Sequence, residues 1–285
     1  RRHYGWSADP PQAAPSFPHG TRDAVVTEIL AQTAGIDRAA GDHVVVFLNG
    51  RSVEMPPAEE STAAVSIMSF AKSLATDELG VHDVNGRKGL ARTSRPDAGR
   101  DVGDDGAFAR RLGTRFDDSA HGFAALNTAF ASDGAYIRVK RTLARPIHVV
   151  HFCARESDAF VTHPRNVIVL EPGTSACVIE HWLGETDAEY LANAATEITI
   201  GQGASLRHVN VQAESEAAYH VHRIEVRQAG SSTFCSHAVA LGAALSRTEI
   251  RVELGGEGAD CSLYGLYTAN GRSHVDHHTT IDHMA

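Results

Sequence analysis

The sequence predicts a β-solenoid preceded by a smaller, mainly helical α+β segment. Three observations carry that prediction. No helix-length amphipathic stretch follows Gly134, which excludes doubly wound and βα-barrel architectures. One turn sequence recurs: Gly173-Thr174-Ser175, Gly203-Ala204-Ser205, Gly230-Ser231-Ser232 and Gly258-Ala259-Asp260, at intervals of 30, 27 and 28 residues, with Gly134-Ala135 as a looser early copy. Strand-like alternation fills the intervals. In Glu249–Leu254, Ile250, Val252 and Leu254 fall on one face. A β-sandwich also turns often, but it has no reason to repeat one turn at a fixed period.

Taken in order, the chain divides into three. Pro10, Pro11, Pro15 and Pro18 mark residues 1–20 as an extended lead-in. Residues 21–131 read as the mainly helical N-terminal domain. Thr21 can cap a helix running to Gly35, with Val25, Ile29 and Leu30 on one side. His43–Leu48 reads as a strand meeting Asn49-Gly50, a strong hairpin signal, with Arg51–Met55 returning before Pro56-Pro57. Ser61 opens an expected second helix, with Val65, Met68 and Leu74 near helical spacing, ending near Gly80. Residues 86–115 hold six glycines and eight Lys or Arg, and read as a solvated linker rather than an anion site. Asp117–Ala131 reads as helix, with Phe123, Leu126, Ala129 and Phe130 as its apolar stripe. Residues 132–285 are the β core. The chain stops straight after a strand-like run, so the core is expected to be truncated at its C-terminal end.

Composition narrows the function. With 285 residues, 26 basic and 35 acidic, the formal charge is −9, which argues against nucleic-acid binding as the main task. No apolar run approaches the length that spans a membrane. Cys153, Cys177, Cys235 and Cys261 contain no CxxC pair and are too few for a disulfide scaffold. They read as small buried hydrophobes in a reducing compartment, and a cytoplasmic location is expected. There is no GxxxxGK[ST], GxSxG or HExxH.

Histidine is over-used, at 17 residues, twelve of them after Gly134. The densest run is His274–His283. In an extended strand His274, Asp276, His278, Thr280 and Asp282 share one face, and Val275, His277, Thr279, Ile281 and His283 the other. His274, Asp276, His278, Asp282 and His283 are therefore candidate ligands for zinc or ferrous iron. A hydrogen-bonded polar ladder or a partner-facing surface explains the run equally well. His220, His222 and Glu225 invite a cupin-like metalloenzyme reading, but Glu214 stands where that pattern wants glycine, and His222 and Glu225 are one residue too close. His220 and His222 share parity with Ile224 and Val226, and so fit a buried strand face equally well. Glu197, Glu225, Glu249 and Glu253 fit either catalytic carboxylates or a solvated outer face.

Several segments resemble the SufB/SufD family of iron–sulfur cluster assembly proteins. They include Phe123–Phe130, Asp133-Gly134-Ala135, Pro146-Ile147-His148, His163–Glu171, Ile179-Glu180 and Asn193–Ile198. Leu241-Gly242, Leu245-Ser246-Arg247, Leu254–Ala259, Gly265-Leu266-Tyr267 and Val275–Thr279 with Asp282-His283 complete the set, and Val44–Gly50 is similar to a SufD N-terminal segment. The resemblance implies a right-handed parallel β-helix between helical domains. It also implies a scaffold, not an enzyme, that pairs with a SufB-like paralogue through the β-helices. A C-terminal domain absent from these residues would dock on a SufC-like ABC ATPase. No tightly bound cofactor is implied; iron or a cluster would be held transiently within the complex, and flavin is left open. The family's metal-site histidine lies in a Cys-Ser-His-Gly stretch that these residues lack.

Overall fold

The computed structural model describes residues 22–33, 35–55, 63–75 and 121–284. The lead-in at 1–20, the linker at 86–115, the Ser61 helix start and the first residues of the 117–131 helix lie outside them.

The first strand, β1 (His43–Leu48), turns through Asn49-Gly50 into β2 (Arg51–Glu54). Both turn residues have positive φ, 48° and 77°, as a two-residue type I′ hairpin requires. Helix α1 (Arg22–Gln32) precedes them. Next come β3 (Val65–Ser69), the short helix α2 (Phe70–Ala75) and helix α3 (Gly122–Phe130). Residues 135–283 are almost wholly strand: β4 (Ala135–Val139), β5 (Ile147–Cys153), β6 (Phe160–Thr162), β7 (Arg165–Leu170), β8 (Ser175–Gly184), β9 (Tyr190–Ile200), β10 (Ser205–Ala213), β11 (Tyr219–Gln228), β12 (Thr233–Ala240), β13 (Leu245–Leu254), β14 (Asp260–Tyr267) and β15 (His274–His283).

These strands form a parallel β-solenoid of about five turns. Alternate strands fall into two sheets. Sheet A runs β14-β12-β10-β8-β5-β1-β2 and sheet B runs β15-β13-β11-β9-β7-β4-β3. Each coil gives one strand to each sheet, and coils stack without a register slip from β8 to β14 and from β9 to β15. At the other end each sheet is closed by a short antiparallel strand, β2 on β1 and β3 on β4.

The expected helix from Ser61 to Gly80 needs correction. Residues Val65–Ser69 are strand β3, and helix begins only at Phe70. Pairing Ile67 with Ile137 and Val65 with Val139 buries both in the main core, which outweighs local helical spacing. The apolar stripe expected on the third helix is also inverted. Helix α3 buries Ala124 and Asn127, while Phe123, Leu126 and Phe130 are 49%, 37% and 42% exposed. The docking surface is polar: Asn127 Nδ2 donates to Pro164 O (3.0 Å) and Asn193 O (2.8 Å), and Arg165 Nη1 reaches Asn127 Oδ1 and Thr128 Oγ1. An amide satisfies those carbonyls where an apolar side chain cannot.

The apolar core lies between the sheets and is built from ladders such as Ile198, Val226 and Val252 on sheet B and Ala176, Leu206 and Phe234 on sheet A. A second apolar layer lies outside sheet A, where Val26 and Ile29 of α1 pack on Val44, Val46, Leu48, Val150 and Phe152.

The recurring turn places one residue per coil in the left-handed region, two positions before the strand: Gly173, Gly203, Ser231 and Gly258, with φ of 69°, 66°, 55° and 71°. Their backbones stack, Gly173 N–H donating to Gln202 O, Gly203 N–H to Gly230 O and Ser231 N–H to Glu257 O. The third turn is thus carried by Ser231 and not by Gly230. A β-carbon in this conformation costs about 1–2 kcal/mol. Ser231→Gly is therefore expected to raise the unfolding free energy by about 1 kcal/mol, after the greater chain entropy of glycine is allowed for. Urea unfolding of the two proteins checks this, and an unchanged or lower stability would refute it.

Candidate functional site

The register settles which side chains of β15 point where. Val275, His277, Thr279, Ile281 and His283 pair with the buried Ser246, Thr248, Ile250, Val252 and Leu254 of β13, so they face inward. His274, Asp276, His278 and Asp282 lie on the outer row. His283 is thus on the opposite face from the other four candidate ligands. Both carboxylates are engaged by arginines one strand away: Arg247 Nη1 donates to Asp276 Oδ2 at 2.5 Å, and Arg251 Nε to Asp282 Oδ2 at 2.8 Å. Among the described residues, no group of three or more His, Cys, Asp or Glu side chains lies within reach of one metal ion. On the inner row, His277 sits so close to Gly265 that a β-carbon there would meet its Nδ1 at 2.9 Å. Burial lowers the His277 pKa, and a cavity of about 120 Å³ beside it is lined by Ala238, Thr248, Leu263, Gly265 and Thr279.

The outer face of sheet B continues the same charge ladder. Glu197 pairs with Arg165, Glu225 and Glu249 with Arg223, and Glu253 with Arg227. Each of the four acidic residues weighed as a catalytic carboxylate is bound to a guanidinium. Exposed pairs of this kind contribute little stability singly. The Arg165–Glu197 and Arg223–Glu225 pairs are different, because their side chains are buried, and leaving any of them unpaired is costly.

The richest chemistry is inside the solenoid, and it centres on Glu180 of β8, which is fully buried. Its Oε1 accepts from Asn166 Nδ2 (2.7 Å) and Thr196 Oγ1 (2.8 Å), and its Oε2 lies 3.0 Å from His208 Nε2. Burial alone would raise its pKa. The hydrogen bond and charge of His208, then His222 and Thr196, outweigh that and hold the carboxyl well below the usual range. The network fixes the neighbouring tautomers. Thr196 gives its one proton to Glu180, so His222 Nε2, 2.9 Å away, must donate to Thr196. Asn166 Nδ2 has a second proton, which faces His151 Nε2 at 3.1 Å, so that nitrogen accepts. His151 is stacked between Phe47 and Trp182, with ring centroids 4.7 and 4.2 Å away. Burial pushes His151 down to about 4 and His222 down to about 3; burial and the nearby His148 push His181 down to about 4. His220 Nδ1 lies 2.8 Å from Glu214 Oε2.

This explains His220 and His222. Both face inward, on the strand face shared with Ile224 and Val226, while Glu225 faces outward to Arg223. The three residues of the cupin-like reading are therefore on opposite sides of one strand, in a parallel solenoid and not an antiparallel barrel. The reading is corrected on both counts. Sequence reasoning missed the Glu180 network because its members lie in six different strands, β5 and β7 to β11. Aligning the coils on their left-handed turn residue would have found the ladder Glu180, Asn210, Ala238 and Gly265, each seven residues past the turn. The cysteines form no disulfide; Cys153 is buried and the other three half-buried, and burial raises the thiols of Cys153, Cys177 and Cys261.

Residues 151–285 match the family model described as SUF system FeS cluster assembly, SufBD core domain. This part of the solenoid is therefore similar to the SufBD core of the SufB/SufD family. The SufBD core boundary at residue 151 falls within β5, inside the first coil. Curated relatives agree. The chain is 27% identical over 184 residues to the iron-sulfur cluster assembly SufBD family protein slr0076 of Synechocystis, covering 61% of this chain and 40% of that one. It is 26% identical over 165 residues to the iron-sulfur cluster assembly protein SufD of Escherichia coli (56% and 39%), and 27% identical over 172 residues to the chloroplastic protein ABCI7 of Arabidopsis thaliana (58% and 36%). The chain thus spans about two fifths of the length of these relatives. Among the described residues, no helix is long and apolar enough to cross a membrane.

The buried imidazoles predict an acid-sensitive fold. His151, His181 and His222 are neutral in the native state, whereas an unfolded chain protonates histidine below pH ~6.5, so the unfolded state binds more protons and stability falls as pH drops from 6.5 toward 4. Each imidazole contributes at most about 1.4 kcal/mol per pH unit. Glu180 acts in the same direction below the ordinary carboxylate range. His151→Phe, which keeps the stack, should flatten the slope between pH 6 and 5 by about that amount. Urea unfolding at the two pH values measures it, and parallel slopes for the two proteins would contradict the assignment.

Proposed function

We propose that the chain contributes to iron–sulfur cluster assembly as a SufD-like scaffold and not as an enzyme. The observation that carries this reading is the coincidence of the SufBD core match at 151–285 with an uninterrupted parallel solenoid. Two further features support it. The carboxylates considered for glycoside hydrolysis are ion-paired to arginines. In this reading ATP-driven work belongs to a SufC-like partner, and the 285 residues given carry no phosphate-binding loop. In this proposal the partners are a SufB-like paralogue and a SufC-like ABC ATPase, the location is cytoplasmic, and iron or the nascent cluster is cargo and not a resident cofactor. The outer residues His274 and His278, with Asp276 and Asp282 already held by arginine, would meet cargo only where a second protein supplies further ligands.

The test is an anaerobic affinity purification of the full-length protein from its own cells, with co-purifying chains identified by mass spectrometry. Recovery of a homologous solenoid subunit together with an ABC-type ATPase is expected. Recovery of the protein alone, with stoichiometric tightly held metal, would overturn the scaffold reading in favour of a self-sufficient metalloprotein.

A further inference from the structure

On the outer face of sheet A, β12 carries Cys235 and His237 two residues apart, between the inward-facing Phe234, Ser236 and Ala238. Both side chains are half-buried, and Cys235 Sγ lies 3.9 Å from His237 Nδ1. The imidazole is not free to swing. It stacks on Tyr264 of β14, with centroids 4.9 Å apart and planes 18° from parallel. Tyr264 is itself 57% exposed, so the pair stands beside solvent.

We propose that Cys235 and His237 form a two-point chelate for a borderline divalent cation of the Zn²⁺, Fe²⁺ or Co²⁺ class. A cation bonded to sulfur at 2.3 Å and to nitrogen at 2.0–2.1 Å, the usual lengths, would see these two atoms about 130° apart. That suits trigonal or tetrahedral coordination and not the linear arrangement of a two-coordinate monovalent ion. Thiolate and imidazole together select this class over Mg²⁺ or Ca²⁺. No third His, Cys, Asp or Glu joins them among the described residues, so the site is open, with its remaining positions available to exchangeable ligands. Arg207 of β10 lies directly opposite Cys235. Its charge disfavours a bare cation and favours one that carries an anion, such as chloride or an exogenous thiolate, in an open position. The site is independent of the His274–His283 run and of any role in cluster assembly. Binding replaces the thiol proton by the metal and releases that proton to solvent.

Co²⁺ is the probe, titrated anaerobically into the reduced 285-residue protein. A near-ultraviolet thiolate-to-cobalt charge-transfer band should grow and saturate at one equivalent. Cys235→Ser should abolish it. His237→Phe, which keeps the ring stack, should weaken binding at least tenfold, and Cys177→Ser and Cys261→Ser should leave it unchanged. A band that survives Cys235→Ser, or an affinity untouched by His237→Phe, would overturn the proposal. A measurement on the unsubstituted protein guards against misfolded variants: Co²⁺ should slow alkylation of Cys235 and not of Cys177, as read by peptide mass spectrometry. Equal alkylation of Cys235 with and without Co²⁺ would refute the site.

Discussion

Because the coils stack in register, each inward side chain lies about 4.8 Å from its equivalents in the coils above and below. A charge placed inside such a ladder must be answered at once by neighbours on the same or the facing sheet. Glu180 is the place where this constraint acts. Its own row runs Val149, Glu180, Asn210, Ala238 and Gly265, and none of the others carries charge. The answer comes from Asn166 on β7, Thr196 on β9 and His208 on β10. Those donors then dictate the tautomers of His151 and His222, and through the stacking of His151 the placement of Trp182. The solenoid interior is divided accordingly. The apolar ladders fill one side, and the polar cluster the other, close to where Glu214 approaches His220.

The two outer faces solve different problems. Sheet B meets solvent through a ladder of arginine–carboxylate pairs running from β7 to β15, which satisfies charge locally and leaves no carboxylate of the ladder unanswered. Helix α3 lies on that polar face, so it turns its amide side inward and its phenylalanines outward. Sheet A is apolar outside where α1 covers it. Farther along, the same face carries Val209, Val211 and Val239 around the Cys235–His237 pair.

Much of the fold was legible because a solenoid repeats its instructions. The turn spacing announced the coils, and the alternation of Ile250, Val252 and Leu254 gave the inner face of β13 correctly. Asn49-Gly50 announced its own hairpin. What was not legible depends on distant partners. Val65–Ser69 is a strand only because β4, some seventy residues later, offers Ile137 as a partner. Asn127 is buried only because Pro164 and Asn193 present carbonyls to it. The third turn misled by one residue, since a serine occupies a conformation for which glycine is the usual signal. The Glu180 network has no local motif at all. Conversely, the histidine run of β15 was conspicuous in sequence, yet the register sends His283 to the inside and gives both aspartates to arginine.

This solenoid therefore combines an interior organised around the buried Glu180 with an outer face of arginine–carboxylate pairs. A double-mutant cycle between Glu180 and His208, read by denaturant unfolding at pH 7, tests the central claim most directly. Glu180→Gln and His208→Gln, alone and together, should show a coupling of about 2 kcal/mol or more, as expected when one partner of a buried charged pair is lost. Glu180→Gln combined with Glu253→Gln on the outer face should be additive within about 0.5 kcal/mol. Additivity of the Glu180 and His208 substitutions would contradict the account.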